Sequence, residues 1–445
     1  MSDPVLKNAV CAGCGCFCDD LTVRDGTSVS AVVRRDGGQG RPVEDVCALA
    51  GDWLESLGPV GLECTVEGRT VPFERALEAA AQRLRSARAP AVFCSSALGL
   101  EAARETLELA RTLRATFWPP APTRPLRAGI DAVDSEITLG EVRSHADLFL
   151  LWHADPDRTH PRHLERLTLA ADVGQSLERK LVVVRRPDAD TLTAQRANDQ
   201  IDIPTGFDAE PETGGEADGP GAVLADLAVL RALRQELAAP PQSPPLGGEG
   251  PTVTALPPAT AAARRLAAHL SEATHTHVFI GAQAAAATCL WSAWQALAAD
   301  LRCVHRISVS SLPQSGNGRG LEDAMLWSVG RPWAVAFHPE GVEDLGEMAG
   351  SGTNTWDVAV CAGIEPTELS PRTRAAPAAQ PRIVVAARGT KEGEVGFRVP
   401  GLDPRLRATV VREDGVHLTL CGGSNRGLED PAVTALTRLR ELLTT

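Results

Sequence analysis

The chain has 445 residues, a formal net charge of −13 at pH 7, and 43% hydrophobic residues. A chain of this length exceeds one ordinary hydrophobic core, so two or three α/β lobes are expected. The acidic balance and the lack of a basic block argue against nucleic acid or an anionic membrane surface as the main partner.

The N-terminal sequence MSDPVLKNAV lacks a positively charged segment followed by an apolar run, and no stretch of the chain approaches a membrane span in length. These features predict a cytoplasmic protein with no membrane partner. Eleven cysteines in 445 residues are too sparse for a disulfide scaffold. The clustering of several of them near the N-terminus suits a reducing compartment.

The first fifty residues carry the densest chemistry, because Cys11, Cys14, Cys16 and Cys18 share one turn-rich loop and Cys47 follows. Cys11, Cys14 and Cys18 form C-x2-C-x3-C, and Cys47 is the natural fourth ligand of a [4Fe–4S] cluster. Structural zinc is the second interpretation, although zinc sites usually contain two short cysteine pairs and Cys47 has no close cysteine partner. Four unligated thiols are the third. Cys16 fits neither ligand set and is interpreted as a packing residue or as a neighbour of the ligands.

The pattern beyond this loop predicts small hairpins and then strand–helix alternation. Residues 19–35 and 66–73 are expected to form hairpins, residues 44–57 a helix that begins near Cys47, and residues 73–86 a long amphipathic helix. Apolar strands at 90–94, 147–152 and 181–184 alternate with helical segments such as 98–113. This alternation predicts a parallel sheet covered on both faces, with ligands at the loops after the strands.

A change of composition marks the main predicted boundary. Residues 208–258 are rich in Pro, Gly and acidic residues around a short apolar helix at 223–237, and are interpreted as a linker or exposed excursion. Helices at 261–271 and 284–301 and strands at 277–280, 303–309, 334–337, 358–361 and 383–386 follow. The predicted domains are residues 1–65 (cysteine-rich), 66–207 (first α/β lobe), 208–258 (linker) and 259–445 (second α/β lobe with the C-terminal segment).

Five collinear segments resemble one known family. They are CAGCGCFCDD at 11–20, TLGEVRSHADLFLLWHADPDRTHPRH at 138–163, RRPDADTLTAQRANDQIDIP at 185–204, SGNGRGLEDAMLWSVGRPWAVAFHPEG at 315–341, and GLDPRLRATVVREDGVHLTL at 401–420. The chain thereby resembles the B subunit of formylmethanofuran dehydrogenase and that of the bacterial formyltransferase/hydrolase complex. The resemblance implies an α/β, molybdopterin-oxidoreductase-like fold with a small N-terminal cysteine-rich β domain and two parallel-sheet lobes.

The resemblance also implies a cofactor set, from which this sequence departs. Redox-competent members of the family resemble molybdopterin oxidoreductases, in which an iron–sulfur cluster relays electrons to tungsten or molybdenum held by pterin and one protein cysteine. That cysteine is expected before the TLGEV segment, but residues 115–137 contain none. Cys94 lies too early and is predicted to be a buried core thiol. A [4Fe–4S] cluster is therefore compatible with the sequence, whereas tungsten or molybdenum on molybdopterin is not expected.

The function implied is that of a B subunit in tetrahydromethanopterin-linked oxidation of formaldehyde to formate, with its own catalytic centre lost. Its implied partners are a metal-dependent amidohydrolase (A) subunit, a formyltransferase (D) subunit and a C subunit. The alternative is a redox-active formylmethanofuran dehydrogenase subunit with both [4Fe–4S] and a tungsten or molybdenum pterin. A free-standing iron–sulfur electron carrier is a third hypothesis.

Two further groups are candidate cofactor-binding residues, and no catalytic residue is assigned. His160, Arg162 and His163 could line a pocket rim and contact a phosphate or a partner subunit, because His and Arg suit an anion. The glycine-rich loop with Gly316, Asn317 and Gly320 could approach a phosphate closely. The alternatives are that the histidines are surface polar groups and that the glycines only form a turn.

Overall fold

The structure is a computed structural model that describes residues 5–24, 31–36, 39–41, 47–119, 137–167, 179–203, 220–238, 257–285, 287–301, 305–312, 316–346, 356–364, 381–387, 394–422 and 427–445. The strands are β1 Val5–Ala9, β2 Leu21–Arg24, β3 Ala31–Asp36, β4 Gln39–Arg41, β5 Glu63–Val66, β6 Arg69–Thr70, β7 Pro90–Cys94, β8 Thr116–Trp118, β9 Leu148–Trp152, β10 Lys180–Arg185, β11 Asp199–Asp202, β12 His275–Ile280, β13 Arg306–Ser311, β14 Ala334–His338, β15 Gly341–Gly346, β16 Val358–Ala362, β17 Arg382–Ala386, β18 Glu394–Arg398, β19 Thr409–Val411 and β20 His417–Thr419.

The α-helices are α1 Ala48–Glu55, α2 Phe73–Ser86, α3 Leu100–Leu113, α4 Leu139–His145, α5 Pro156–Thr159, α6 His163–Arg166, α7 Pro220–Ala238, α8 Pro258–Glu272, α9 Ala282–Ala285, α10 Thr288–Leu301, α11 Gly318–Val329 and α12 Pro431–Thr444. In the part of the chain that the structure describes, none of these helices combines the length and apolarity that a membrane crossing requires.

The chain forms two compact units. One comprises Met1–Pro122 together with Gln314–Thr445, and we call it the discontinuous unit; the other, Thr123–Pro313, is the continuous unit. The predicted lobes at 66–207 and 259–445 are consecutive segments, and the structure groups their strands differently. The reason is strand pairing. β16 pairs with β7 and β18 pairs with β5, with β17 between them, whereas β12 pairs with β9 and β13 pairs with β12.

A nine-stranded sheet forms the centre of the discontinuous unit, in the order β15-β14-β8-β7-β16-β17-β18-β5-β6. The five strands from β8 to β18 run parallel, and antiparallel strands flank them at both ends. Helix α2 covers one face, since Ala76, Leu77, Ala80, Ala81 and Leu84 recur at helical spacing and are all buried. Strand PAVFC at 90–94 is apolar throughout because both of its faces are buried.

The continuous unit contains five parallel strands in the order β11-β10-β9-β12-β13. Helices α7, α8 and α10 supply buried apolar side chains to one face, and residues of α4 and α6 supply them to the other. The chain runs outward from β9 to β10 and β11 and then returns to the other side of β9 with β12. The order of the strands therefore reverses between β9 and β12, which is a topological switch point.

Helix α7 corrects one interpretation of the linker. The sequence predicts a short helix at 223–237 within an excursion that lacks a core, but α7 buries Val229, Leu230 and Leu233 against the sheet of the continuous unit. Its apolar residues therefore belong to a hydrophobic core. The Pro/Gly-rich flanks at 204–219 and 239–256 lie outside the described residues.

The N-terminal segment forms a separate four-stranded antiparallel sheet in the order β1-β2-β3-β4. Strands β2 and β3 correspond to the predicted hairpin at 19–35, whose turn at 25–30 lies outside the described residues. The loop from 10 to 20 connects β1 with β2, and α1 begins directly after Cys47. The sheet and α1 therefore bring the two parts of the cysteine motif to one end of this segment.

Candidate functional site

The cysteine loop forms its own small hydrophobic cluster. Cys11, Cys16 and Cys18 are buried there, and Cys14 and Cys47 pack against it while half-buried. The backbone N–H of Cys11 donates to the carbonyl of Cys18 at 2.8 Å, which closes the loop. The cysteines among the described residues are thiols and not disulfides. The loop thus gathers thiols that lie far apart in the sequence.

Glycine allows the loop to approach helix α1. A Cβ on Gly13 would lie 2.7 Å from the carbonyl oxygen of Leu49, a distance that real Cβ atoms do not adopt. Cys47 is the N-cap residue of α1, and its carbonyl accepts from the N–H groups of Ala50 and Gly51. The N-terminus of α1 therefore begins directly at Cys47.

The four predicted ligands lie close enough for their charges to interact. Burial raises the pKa of the Cys11 thiol well above its ordinary value, and the neighbouring Cys18, Cys14 and Cys47 raise it further. The N–H of Gly13 donates to Cys11 Sγ at 3.4 Å and opposes this shift in the pKa. Four thiols that repel one another as thiolates need a cation to be deprotonated together, and a bound metal supplies that charge.

The donor set fits an iron–sulfur cluster in its chemistry. Cys11, Cys14, Cys18 and Cys47 are soft ligands of the type that holds such clusters, and they lie in or against an apolar cluster of side chains. Among the described residues, no three His, Cys, Asp or Glu side chains are arranged to hold a single metal ion. In a [4Fe–4S] cluster each thiolate binds a different iron, so the sulfurs do not converge on one point. The assignment of these four residues to a metal stays a prediction.

His160, Arg162 and His163 are buried, with 4–6% of their surface exposed. His160 Nδ1 lies 2.8 Å from Thr159 Oγ1, and the His163 ring packs edge-on against Phe279 with centroids 4.6 Å apart. Packing in the continuous unit therefore accounts for two of these side chains. Whether any of the three binds a cofactor stays a prediction.

The described residues of the glycine-rich loop pack against other parts of the same unit. Asn317 is completely buried; its Nδ2 donates to Leu98 O at 3.1 Å, and its Oδ1 accepts from the N–H of Val411 at 2.8 Å. A Cβ on Gly316, where φ is +90°, would lie 2.6 Å from Ser96 Oγ.

A Cβ on Gly320 would collide in the same way with the side chain of Asn317, at 2.4 Å. The space that Gly316 and Gly320 leave is therefore filled by protein atoms. Their assignment to a cofactor, like that of Asn317, stays a prediction.

A polar network in the continuous unit was not foreseen from the sequence. Asp226 of α7 is 2% exposed and lies 2.8 Å from His153 Nε2 through its Oδ1. The guanidinium of Arg186 donates to both oxygens of Asp226, at 3.1 and 2.7 Å. His153 and Arg186 lie 73 and 40 residues from Asp226, so no local motif could predict the contact.

A cavity of about 540 Å³ lies in the discontinuous unit beyond the carboxyl ends of β17 and β18. Trp53 lines it together with Glu63 and Arg398, which form an ion pair at 3.2 Å. None of the predicted site residues is among the described residues that line this cavity. Trp53 also packs against the cysteine cluster, so the cavity and the cysteine loop share a residue of α1.

No family model matches the chain. Two curated proteins are similar to it in part, and both are named as the B subunit of tungsten-containing formylmethanofuran dehydrogenase 2. The protein from Methanocaldococcus jannaschii is 29% identical over 197 residues, which cover 42% of this chain and 44% of the relative. The protein from Methanococcus maripaludis is 26% identical over 176 residues, which cover 37% and 38% of the two chains. The chain thus spans less than half the length of these relatives.

A solved structure shares its fold with this chain over nearly the whole length of the solved chain. It is a chain of the formyltransferase/hydrolase complex from Methylorubrum extorquens, crystallised with methylofuran. The match has a TM-score of 0.59 at 21% identity and covers 86% of this chain and 98% of the other.

The class defined by this fold is therefore a mixed α/β protein with parallel sheets. Within that class, the chain is a relative of the formylmethanofuran dehydrogenase B subunit, as the cysteine loop and the other four segments predicted. The finer assignment to a molybdopterin-oxidoreductase-like fold stays a prediction.

Proposed function

We propose that this chain is a B-type subunit of a formyltransferase/hydrolase complex in one-carbon oxidation and serves as a structural partner of the hydrolase subunit. The fold match to a chain of such a complex, over 86% of this chain, is the observation that carries the proposal. The names of the sequence relatives place them in formyl-group metabolism as well. The proposed partners are the amidohydrolase (A), formyltransferase (D) and C subunits, in the cytoplasm.

Loss of the redox centre is the second part of the proposal. The sequence from 115 to 137 has no cysteine that could anchor tungsten or molybdenum. Cys94, the nearest upstream thiol, is buried in the core of the discontinuous unit, and burial raises its pKa to about 12. Its position at the end of β7 places it upstream of the segment in which the ligand cysteine is expected.

Cys11, Cys14, Cys18 and Cys47 are the residues that would hold a [4Fe–4S] cluster in this protein. Such a cluster supplies one-electron transfer when it is bound. The chain itself supplies the apolar cover of the loop and the N–H of Gly13 directed at Cys11 Sγ. In a protein without a second redox centre, the cluster would act mainly by holding the loop and α1 together.

The alternative function is that of a redox-active dehydrogenase subunit, and retention of the cysteine loop favours it. The two candidates differ in metal content. Affinity purification of the full-length chain from its native source, under anaerobic conditions, is expected to recover the amidohydrolase and formyltransferase subunits without tungsten, molybdenum or pterin. Recovery of stoichiometric tungsten or molybdenum with viologen-linked formylmethanofuran oxidation would establish the alternative, and recovery of the chain without either partner would overturn the proposed complex.

The cluster is tested separately. Cys11→Ser and Cys47→Ser are expected to abolish the iron content and the visible absorbance shoulder of the anaerobically purified protein. Cys64→Ser is the matched control, because Cys64 is a buried thiol in the hydrophobic core of the same unit. Equal iron content in all variants, or no iron in the wild type, would remove the cluster from the proposal and leave the complex untouched.

A further inference from the structure

The network of His153, Arg186 and Asp226 lies where two neighbouring strands of the continuous unit end. His153 directly follows β9 and Arg186 directly follows β10, and these neighbouring strands are parallel. Both residues therefore stand at the carboxyl edge of the sheet. His153 also adjoins the switch point between β9 and β12, where open α/β sheets bind their ligands.

The backbone at His153 is specialised for this arrangement. His153 has a φ of +49°, in the left-handed region that non-glycine residues rarely adopt. Directly after β12, a Cβ on Gly281 would lie 2.0 Å from the carbonyl oxygen of His153, so only glycine leaves room for this backbone. Outliers of this kind are found at ligand clamps and persist only where surrounding contacts hold them.

The chemistry of the pair is that of an anion receptor. Arg186 presents two nitrogens to Asp226, and Nε2 of His153 also reaches the carboxylate. Each of these two basic side chains is only 15% exposed, so water competes weakly for the contacts. In this geometry the N–H groups of Arg and His can donate to a carboxylate oxygen or to a phosphate oxygen.

We propose that Arg186 and His153 form an anion-binding site whose ligand in this chain is the carboxylate of Asp226. Asp226 of helix α7 thereby places a carboxylate of the protein itself at the carboxyl edge of the sheet. Without it, a free dianion of the phosphate class would bind at the same position. The guanidinium of Arg186 is also anchored to the Ala222 carbonyl at 2.9 Å, which keeps it in place when the carboxylate is removed. The cysteine loop takes no part in this network, so the proposal is independent of any cluster.

Removal of the internal anion tests the proposal. Asp226→Ala in the full-length protein should bind inorganic phosphate saturably, at least about tenfold more tightly than the wild type, because three charge-assisted contacts become free. Isothermal titration calorimetry measures the affinity. Phosphate should also raise the Tm of this variant relative to chloride at equal ionic strength. The double variant Asp226→Ala/Arg186→Gln should lose the response.

Asp199→Ala is the matched control for an ordinary ion pair. Asp199 is also held by an arginine and a histidine, Arg265 and His269, but it begins β11 at the opposite edge of the sheet. This variant should lose stability without gaining phosphate binding. An equal phosphate response in both alanine variants, or none in Asp226→Ala, would show that the network is only a structural ion pair.

Asp226→Ser provides a second variant if the alanine variant folds poorly. Like the alanine variant, it should bind phosphate more tightly than the wild type and gain in Tm when phosphate is added. Refolding yield in phosphate, compared with chloride at equal ionic strength, should be higher for both variants and unchanged for the wild type. Yields that do not depend on phosphate would overturn the proposal even where affinity cannot be measured.

Discussion

Asn317 connects three parts of the discontinuous unit through one buried amide. Its Nδ2 and Oδ1 bond to the backbone at Leu98, in the loop before α3, and at Val411, the last residue of β19. A further hydrogen bond runs from its own N–H to the Ser96 carbonyl. A residue that the sequence suggests as a cofactor ligand thus has a clear role in stability.

Asn317→Ala is expected to lower the free energy of unfolding by about 2–4 kcal/mol, because it leaves a buried carbonyl and a buried N–H unsatisfied. Urea denaturation followed by circular dichroism measures the change. Gln82→Ala is the control, since Gln82 is an exposed amide in the same unit and should change stability by no more than about 0.5 kcal/mol. A loss below about 1 kcal/mol for Asn317→Ala would contradict this role.

Two histidines on β12 are buried within one polar network. His277 bonds to Ser308 Oγ through Nδ1 at 2.7 Å and to Ser310 Oγ through Nε2 at 2.9 Å, and His275 Nε2 lies 3.0 Å from Ser308 Oγ. Burial lowers the pKa of His275 to about 4 and that of His277 well below its ordinary value. Both rings are therefore neutral in the folded protein at pH 7.

Stability should fall as the pH drops from about 6.5 towards 4, because the unfolded chain then binds protons that the folded histidines reject. Each histidine lowers the free energy of unfolding by up to about 1.4 kcal/mol for each pH unit of this fall. His277→Gln should reduce this slope, whereas exposed His417→Gln should leave it unchanged. Urea unfolding at a series of pH values checks this, and identical slopes for wild type and His277→Gln would refute it.

At the scale of elements, α7 shows how flanking composition obscures a core helix. Its neighbours in sequence are rich in Pro, Gly and acidic residues, but Leu233 is fully buried and packs in the same cluster as Trp294 of α10. On the same helix, Leu224 is 54% exposed. One face of α7 therefore belongs to the core, and another faces solvent.

Leu233→Ala is expected to cost about 2–5 kcal/mol, through lost burial and the cavity left behind. Leu224→Ala, on the exposed face of the same helix, should cost no more than about 0.5 kcal/mol. Thermal and urea unfolding of both variants measure the difference. Similar, small effects would mean that α7 does not contribute to the core.

At the scale of the whole molecule, two units are interleaved along the chain. The continuous unit is formed by one uninterrupted segment, Thr123–Pro313, that contains β9 to β13. The discontinuous unit needs both ends of the chain, because β7, near the N-terminal end, pairs with β16, near the C-terminal end. The predicted lobe boundary at 208–258 separates β9 from its partner β12.

A fragment of residues 123–313 should fold alone, since it contains all five strands that the structure describes in its sheet and the helices on both faces. A fragment of residues 66–207 should not, because it leaves β9 without β12 and β7 without β16. Cooperative thermal unfolding by circular dichroism distinguishes the two. A cooperative transition in the second fragment alone would favour the division that the sequence suggested.

The spacing of apolar residues along the sequence predicts most helices and strands, but it predicts few of the elements against which they pack. The helix at 73–86 and the strand at 90–94 match the structure residue for residue, because apolar spacing depends only on neighbours along the chain. Local pattern misses helix α11, since its first residues lie in a glycine-rich stretch whose composition is typical of a loop. It also misses strand β15, as the sequence GVEDLG lacks an apolar run.

The amino-acid sequence by itself determined the family relationship, the cysteine motif and the alternation of strands and helices, because these are carried by residue type and short-range spacing. Tertiary structure alone decided which strands share a sheet, and it assigned α7 to a core. It also decided that Asp226 meets His153 and Arg186. Such contacts join residues tens to hundreds of positions apart, and their free energy comes from burial and pairing that no local segment contains.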